Sequence, residues 1–222
     1  MTNSSPDLFA QKSNLYGWAT TLTLITIFYN LTEGAVSVFF GFENETLALF
    51  GFGMDSFVEV VSGVGIWHMI RRSKADLNVS PDRFERDALK ITGTAFYILA
   101  AGLFITSGLN IYELHRPETT LWGAVISAIS IMTMWALVRS KKKVGLQLNS
   151  QAILADADCT KICVYMSFVL LFSSAGYEFT GIGHLDAIGA LLIAGLSFKE
   201  GRESFEKARG NAVCVCRDGC RR

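Results

Sequence analysis

The stretch "ALFGFGMDSFVEVVSG", residues 48–63, decides how the whole chain is interpreted. It is a run of apolar and small residues that contains two acids, Asp55 and Glu59. The window around it, 46–70, is long enough to cross roughly 30 Å of hydrocarbon at about 1.5 Å per residue, with Asp55 near the midplane. A carboxylate at that depth costs on the order of 2.5–3.5 kcal/mol even on lenient insertion scales. Two acids in such a segment therefore indicate a functional site.

The composition is that of a membrane protein. Half of the 222 residues are apolar, 18% are charged and three are proline. Acids and bases are equal in number, at 20 each, so no net positive charge supports a nucleic-acid partner. The N-terminus lacks the basic start and short apolar core of a signal peptide, and we expect no cleaved segment. Five cysteines in two groups fit reduced thiols or metal ligands better than a disulfide framework.

Hydropathy predicts an all-α membrane protein with six transmembrane helices. The candidate spans are 15–41, 46–70, 88–114, 119–138, 151–176 and 184–199. The fifth is polar in its first half and the sixth is short, so hydropathy alone allows five or six. We accordingly divide the chain into an N-terminal tail (1–14), a transporter domain (15–199) and a cysteine-containing tail (200–222).

Basic segments predict the orientation. "RRSK" (71–74) follows the second span and "RSKKK" (139–143) follows the fourth, and the tail after 199 is also basic. The positive-inside rule places these segments in the cytoplasm. An even number of spans is then required, which favours six, with both termini cytoplasmic. We expect the plasma or inner membrane as the location.

The two acids lie four residues apart, so both project from the same face of a helix. Like charges this close cannot both ionise in a dry site without a cation. Either one carboxyl holds a proton or a metal ion lies between them. The alternative is a carboxyl pair that hydrogen-bonds neighbouring helices and has a structural role only.

A second pair occupies the corresponding place downstream. "TLALFGFGMDSFVEV" (46–60) aligns without a gap on "SQAILADADCTKICV" (150–164), which puts Asp55 and Glu59 on Cys159 and Cys163. Each pair falls on the second of three spans, and a repeat with an odd number of spans must be inserted upside down in its second copy. The sequence therefore predicts the 3+3 inverted repeat of secondary transporters, whose ion sites lie near the midplane.

Asp55, Glu59, Cys159 and Cys163 together supply four ligands of the kind that close a tetrahedron around one ion. Mixed oxygen and sulfur ligands suit Zn²⁺, with Cd²⁺ or another soft divalent ion as the next choice. The alternative for the cysteines is that they act as small hydrophobic residues.

Further polar residues extend this hypothesis. Asp156, three residues before Cys159, is a candidate for an additional ligand or proton carrier, and Glu33, deep in the first span, for a pathway or proton-relay residue. Asp186 is expected to cap the sixth span. The tail cysteines, Cys214, Cys216 and Cys220, form a possible accessory site for a soft ion, the alternative being reduced thiols without a role.

These motifs resemble those of the cation diffusion facilitator family. "TLALFGFGMDSFVE" (46–59) and "LADADCTKIC" (154–163) are similar to the family's second-span and fifth-span motifs, and "YNLTEG" (29–34) and "LDAIGALLIAGLSFKEG" (185–201) resemble its first and sixth spans. The resemblance implies a homodimer of six-helix protomers that works by alternating access. It also implies that the divalent cation leaves the cytoplasm as protons enter.

Two departures from the family pattern affect the interpretation. Cys159 and Cys163 stand where histidine and aspartate are expected, which tilts the choice toward softer ions. The chain is short, and we expect it to lack the family's cytoplasmic C-terminal domain, in which it is similar to the vertebrate vesicular zinc-efflux branch. The predicted function is a metal-ion transporter and not an enzyme.

Two other functions remain open from the sequence. One is a membrane metal sensor or accessory protein that binds an ion without flux. The other is a membrane thiol oxidoreductase that uses Cys159 and Cys163, although their spacing is not Cys-x-x-Cys.

Overall fold

The described part of the chain consists of α-helices joined by short connections in a computed structural model of the protein. The structure describes residues 6–73, 83–113, 117–182 and 184–209. The helices are α1 (Pro6–Glu43), α2 (Leu47–Ser73), α3 (Arg83–Glu113), α4 (Leu121–Leu148), α5 (Gln151–Thr180) and α6 (His184–Ala208). The prediction of an all-α membrane protein is confirmed.

Five of these helices, α1 to α5, are long and apolar enough to cross a membrane. The sixth, α6, has 25 residues, about 37 Å of helix, but its second half carries six charged side chains. Its first half is apolar, and Ala190 and Ile193 are fully buried. In the charged half, the ion pairs Lys199–Glu203 (3.4 Å) and Arg202–Glu206 (2.9 Å) link successive turns.

Several helices continue beyond the predicted spans, and the division into two tails and a transporter domain stays a prediction. Helix α1 begins at Pro6, within the predicted tail 1–14, and α6 runs to Ala208, past the predicted limit at 199. Helix α4 continues through 139–143, so this basic segment is helical and not a loop. Hydropathy windows end where charges begin, whereas a helix continues as long as its backbone bonds and packing are satisfied.

The helix ends define two faces of the bundle. At one of them, which we call face B, the Glu118 amide donates to the Asn44 carbonyl (3.2 Å), and the Tyr177 hydroxyl donates to the Pro117 carbonyl (2.6 Å). Face B therefore holds the ends of α1 and α5 and the starts of α2 and α4, and Asp186, at the start of α6, also contacts the start of α2. Face A is the opposite end, where α1 starts and α6 ends.

The α1–α2 and α4–α5 connections at these faces have the same structure. In each, a residue with positive φ precedes a threonine or serine whose amide donates to a glycine carbonyl five residues back, at 2.8 and 3.0 Å. The residues are Gly41, Glu45 (φ 54) and Thr46 in the first connection and Gly145, Asn149 (φ 49) and Ser150 in the second. The shift along the chain that relates Glu45 to Asn149 also relates Asp55 to Cys159.

The two halves run in opposite directions. Helix α2 starts at face B, next to α4, whereas α5 starts at face A, because its last turn lies against the start of α4. Helices that match in sequence and in the preceding turn are thus antiparallel. This is the arrangement that the 3+3 inverted repeat requires.

Two apolar clusters fill the bundle, one toward each face. The face-A cluster contains residues of α1, α2, α4 and α5: Tyr16, Ala19, Leu22, Ile66, Ile70, Met134, Leu137, Val138, Val144, Leu148, Ile153, Cys163 and Val164. The face-B cluster contains residues of α2 to α6: Ala48, Leu49, Phe52, Leu103, Ile126, Met166, Leu170, Ala190, Ile193 and Ala194. On α2, the predicted acid pair falls between the two clusters.

Candidate metal site

The acid pair of α2 faces the bundle interior. Asp55 is 2% exposed, and its Oδ1 accepts a hydrogen bond from the Ser197 hydroxyl of α6 at 3.1 Å. Glu59 is partly buried, and its Oε2 accepts from the Asn30 side-chain amide of α1 at 2.9 Å. Both carboxylates thus accept a hydrogen bond from an uncharged side chain of another helix, which holds them in place without neutralising them.

The thiol pair of α5 meets the acid pair at one point. The Cys163 thiol donates to both oxygens of Glu59, at 2.8 and 2.7 Å. Cys159 does not share this contact: its sulfur lies 3.7 Å from the Lys207 ammonium nitrogen of α6. Both cysteines are free thiols. One member of each predicted pair is therefore in direct contact with the other pair.

Asp55 and Cys159, the other members of the two predicted pairs, lie toward opposite faces of the bundle. Because α2 and α5 are antiparallel, Asp55 lies about 6 Å along the helix axis toward face B from Glu59, and Cys159 about 6 Å toward face A from Cys163. Among the described side chains, no group of three or more histidine, cysteine, aspartate or glutamate residues is arranged to hold a metal ion. The binding of one ion by all four residues stays a prediction.

Glu33 of α1 lies beside the acid pair. It is 6% exposed, its Oε2 accepts from the Ser56 hydroxyl at 3.3 Å, and its Oε1 has no hydrogen-bond partner. Its charge acts on both Asp55 and Glu59. The position suits a relay next to the site, and the role itself stays a prediction.

Asp156 belongs to a buried ion pair. Its Oδ1 lies 2.9 Å from the ammonium nitrogen of Lys141, which also donates to the Thr160 hydroxyl at 2.8 Å. Its Oδ2 accepts from the Thr23 hydroxyl at 2.7 Å. Both carboxylate oxygens thus have partners on α1 and α4, and a role in ion or proton transfer stays a prediction.

Other predicted residues have different surroundings. Asp186, expected to cap its own helix, accepts from the backbone amides of Leu47 (2.7 Å) and Ala48 (3.3 Å), at the start of α2. A carboxylate on these free amides fixes the start of α2 against α6. The three tail cysteines, Cys214, Cys216 and Cys220, lie outside the described residues.

Sequence reasoning missed four side chains around the site: Asn30, Ser197, Glu200 and Lys207. The last two fall in the segment predicted as a tail. The sequence did contain a signal, because Ser197, Glu200 and Ser204 recur at helical spacing. In the structure all three are buried.

Comparison with known proteins identifies the family of the chain. Residues 22–210 match the cation efflux transmembrane domain, and the chain therefore belongs to the cation efflux family. This confirms the resemblance to the cation diffusion facilitators. Over 105 residues the chain is 29% identical to Mitochondrial metal transporter 2 of Saccharomyces cerevisiae. The alignment covers 47% of this chain and 22% of the yeast protein, so the match spans about a fifth of that relative's length.

Proposed function

We propose that the protein is a secondary transporter that exports a divalent transition-metal cation from the cytoplasm in exchange for protons. Zn²⁺ is the first candidate, and Cd²⁺ or another soft divalent ion is the second. The observation that carries the proposal is the contact between the Cys163 thiol and the Glu59 carboxylate, which links the two inverted halves between the apolar clusters.

This contact supports an exchange of protons for metal. The Cys163 sulfur lies 2.7 Å from Glu59 Oε2, a hydrogen-bond contact in which the two groups share a proton. Thiol and carboxyl groups bind metal well only after they lose their protons. Metal binding therefore releases the shared proton. Return of protons on the other side of the membrane weakens the ligands and releases the ion.

The two apolar clusters support alternating access. They flank the acid pair along α2, so in this conformation an ion arriving from either face meets an apolar layer. An ion reaches the site only when one cluster separates while the other stays closed. Such rocking of one half against the other around a fixed site is the usual movement of inverted-repeat transporters.

We further propose a homodimer with both termini in the cytoplasm of a plasma or inner membrane. Arg71 and Arg72, in the last turn of α2, lie at face A, where α1 starts and α6 ends. Under the positive-inside rule, basic residues at this face support its cytoplasmic placement.

The test is metal flux into proteoliposomes with a panel of divalent ions and an internal pH indicator. Asp55→Ala and the double variant Cys159→Ser/Cys163→Ser should lose both metal flux and the linked proton movement. The control is Asp87→Ala, which removes an exposed carboxylate of α3.

Each other outcome has a meaning. Unchanged flux in the site variants removes these residues from the pathway. Metal binding by the wild-type protein without flux favours the sensor or accessory protein, and thiol redox cycling that needs no metal favours the oxidoreductase.

A further inference from the structure

Helix α6 follows the site along its length. Ser197 donates to Asp55 at 3.1 Å, and ten residues further on, Lys207 contacts Cys159 at 3.7 Å. The two contacts reach the outer members of the predicted pairs. The side chains on this face of α6 between Ser197 and Lys207 therefore lie against the middle of the site.

The residue in that position is Glu200. It lies one helical turn from Ser197 toward face A, and its side chain is 7% exposed. Its charge acts on Asp55, Glu59 and Cys159. Its place on α6 between Ser197, which contacts Asp55, and Lys207, which contacts Cys159, agrees with this.

One oxygen of Glu200, Oε1, has no hydrogen-bond partner. The same is true of Asn30 Oδ1 and Glu33 Oε1, which belong to side chains that are 2% and 6% exposed. All three atoms are acceptors, and leaving a buried acceptor without a donor costs about 1–3 kcal/mol, more when it is charged. Asn30 and Glu33 border the acid pair, since Asn30 donates to Glu59 and Glu33 accepts from Ser56, and a bound cation would supply the partner that these acceptors lack.

Lys207 supplies a positive charge at the same place. Its ammonium nitrogen lies beside the Cys159 sulfur and acts electrostatically with Glu200. A divalent cation at this position would repel the ammonium group, whose four-carbon stem allows it to turn toward Glu203, another of its electrostatic partners.

We propose that Glu200 is a further cation-binding side chain of this site, and that Lys207 is the resident counter-charge that the divalent cation displaces. The inference rests on the proposed function, because it assigns another ligand to the same site. An added carboxylate makes the ligand set harder, which favours Zn²⁺ over Cd²⁺ relative to the four predicted ligands alone.

The test is equilibrium binding of Zn²⁺ and of Cd²⁺ to the purified full-length protein in detergent. Loss of a supporting residue around a metal typically lowers affinity about 10–100-fold, so Glu200→Gln should weaken Zn²⁺ binding at least about tenfold. Glu206→Gln is the matched control on the same helix, because Glu206 is half-exposed and pairs with Arg202; it should bind as wild type.

A substitution of Lys207 is the second part of the binding test. Lys207→Gln should strengthen binding several-fold, because the competing charge is gone, whereas Lys90→Gln, at an exposed position of α3 where Lys90 pairs with Asp87, should leave binding unchanged. Opposite effects at Glu200 and Lys207 distinguish a cation site from a structural ion pair, for which both substitutions would act in the same direction.

Wild-type affinity in Glu200→Gln, or weaker binding in Lys207→Gln, would overturn the inference. If Glu200→Gln fails to fold, Glu200→His decides, since imidazole is a metal ligand: retained binding supports the inference and lost binding overturns it. Wild-type binding without flux would refute the transport proposal alone, and flux with normal binding in Glu200→Gln would refute this inference alone.

Discussion

The ion pair between Lys141 and Asp156 gives a sharp prediction about stability. Lys141 is fully buried, and its ammonium group has two partners, Asp156 at 2.9 Å and Thr160 at 2.8 Å. Replacing it in Lys141→Met leaves the carboxylate buried with only the Thr23 hydroxyl as a donor. At an effective dielectric constant of about 20, the Coulomb attraction over this distance is about 6 kcal/mol, part of which offsets desolvation. We therefore expect a loss of about 3–5 kcal/mol, the usual effect of removing one partner of a buried pair.

The measurement is denaturant unfolding in detergent micelles with a matched control on the next residue. Lys142 lies 3.9 Å from Asp158 and both are partly exposed, so Lys142→Met should cost less than about 1 kcal/mol. The double variant Lys141→Met/Asp156→Leu should recover most of the loss, because no buried charge remains. Equal effects of Lys141→Met and Lys142→Met, or a double variant as unstable as the single one, would refute the reasoning.

Three further predictions concern helix ends, close packing and ion choice. Asp186→Ala should lower the free energy of unfolding by about 1–2 kcal/mol, since α2 loses the acceptor at its first amides, and Asp186→Asn by less, as measured by thermal unfolding. Gly53→Ala places a methyl group 2.7 Å from the Val38 amide nitrogen and should cost about 1–3 kcal/mol in the same assay. Gly102→Ala, with nothing within 4 Å, should not destabilise the protein. Cys163→Ser should shift preference from Cd²⁺ toward Zn²⁺ in competition dialysis, and an unchanged ratio would exclude this sulfur as a ligand.

The elements that come from local sequence were predictable. Apolar windows predicted α1 to α4 plainly, because crossing hydrocarbon demands a long apolar run, whereas the choice of six helices over five also needed the basic segments. The alignment of Asp55 with Cys159 also predicted the repeat, and the paired turns at Glu45 and Asn149 follow the same shift.

The partners of the charged residues were not predictable in the same way. Lys141 stands in a basic run that is typical of a solvated loop, and only the position of Asp156 on the next helix explains its burial. Glu200 follows the point where hydropathy falls, so it was assigned to the tail. Asp186 binds the start of α2, far away along the chain. Each case depends on which helices pack together, and spacing within one helix does not contain that information.

The inverted arrangement makes the two approaches to the site chemically unequal. Asp55 lies toward face B and Cys159 toward face A, so a soft ion arriving from face A would meet sulfur before oxygen, and an ion from face B the reverse. Sulfur holds such ions more strongly than carboxylate oxygen does. Under the proposed function, the order of the ligands would set how fast a soft ion enters and leaves at each face, whereas the direction of net transport is set by the coupled ion and proton gradients.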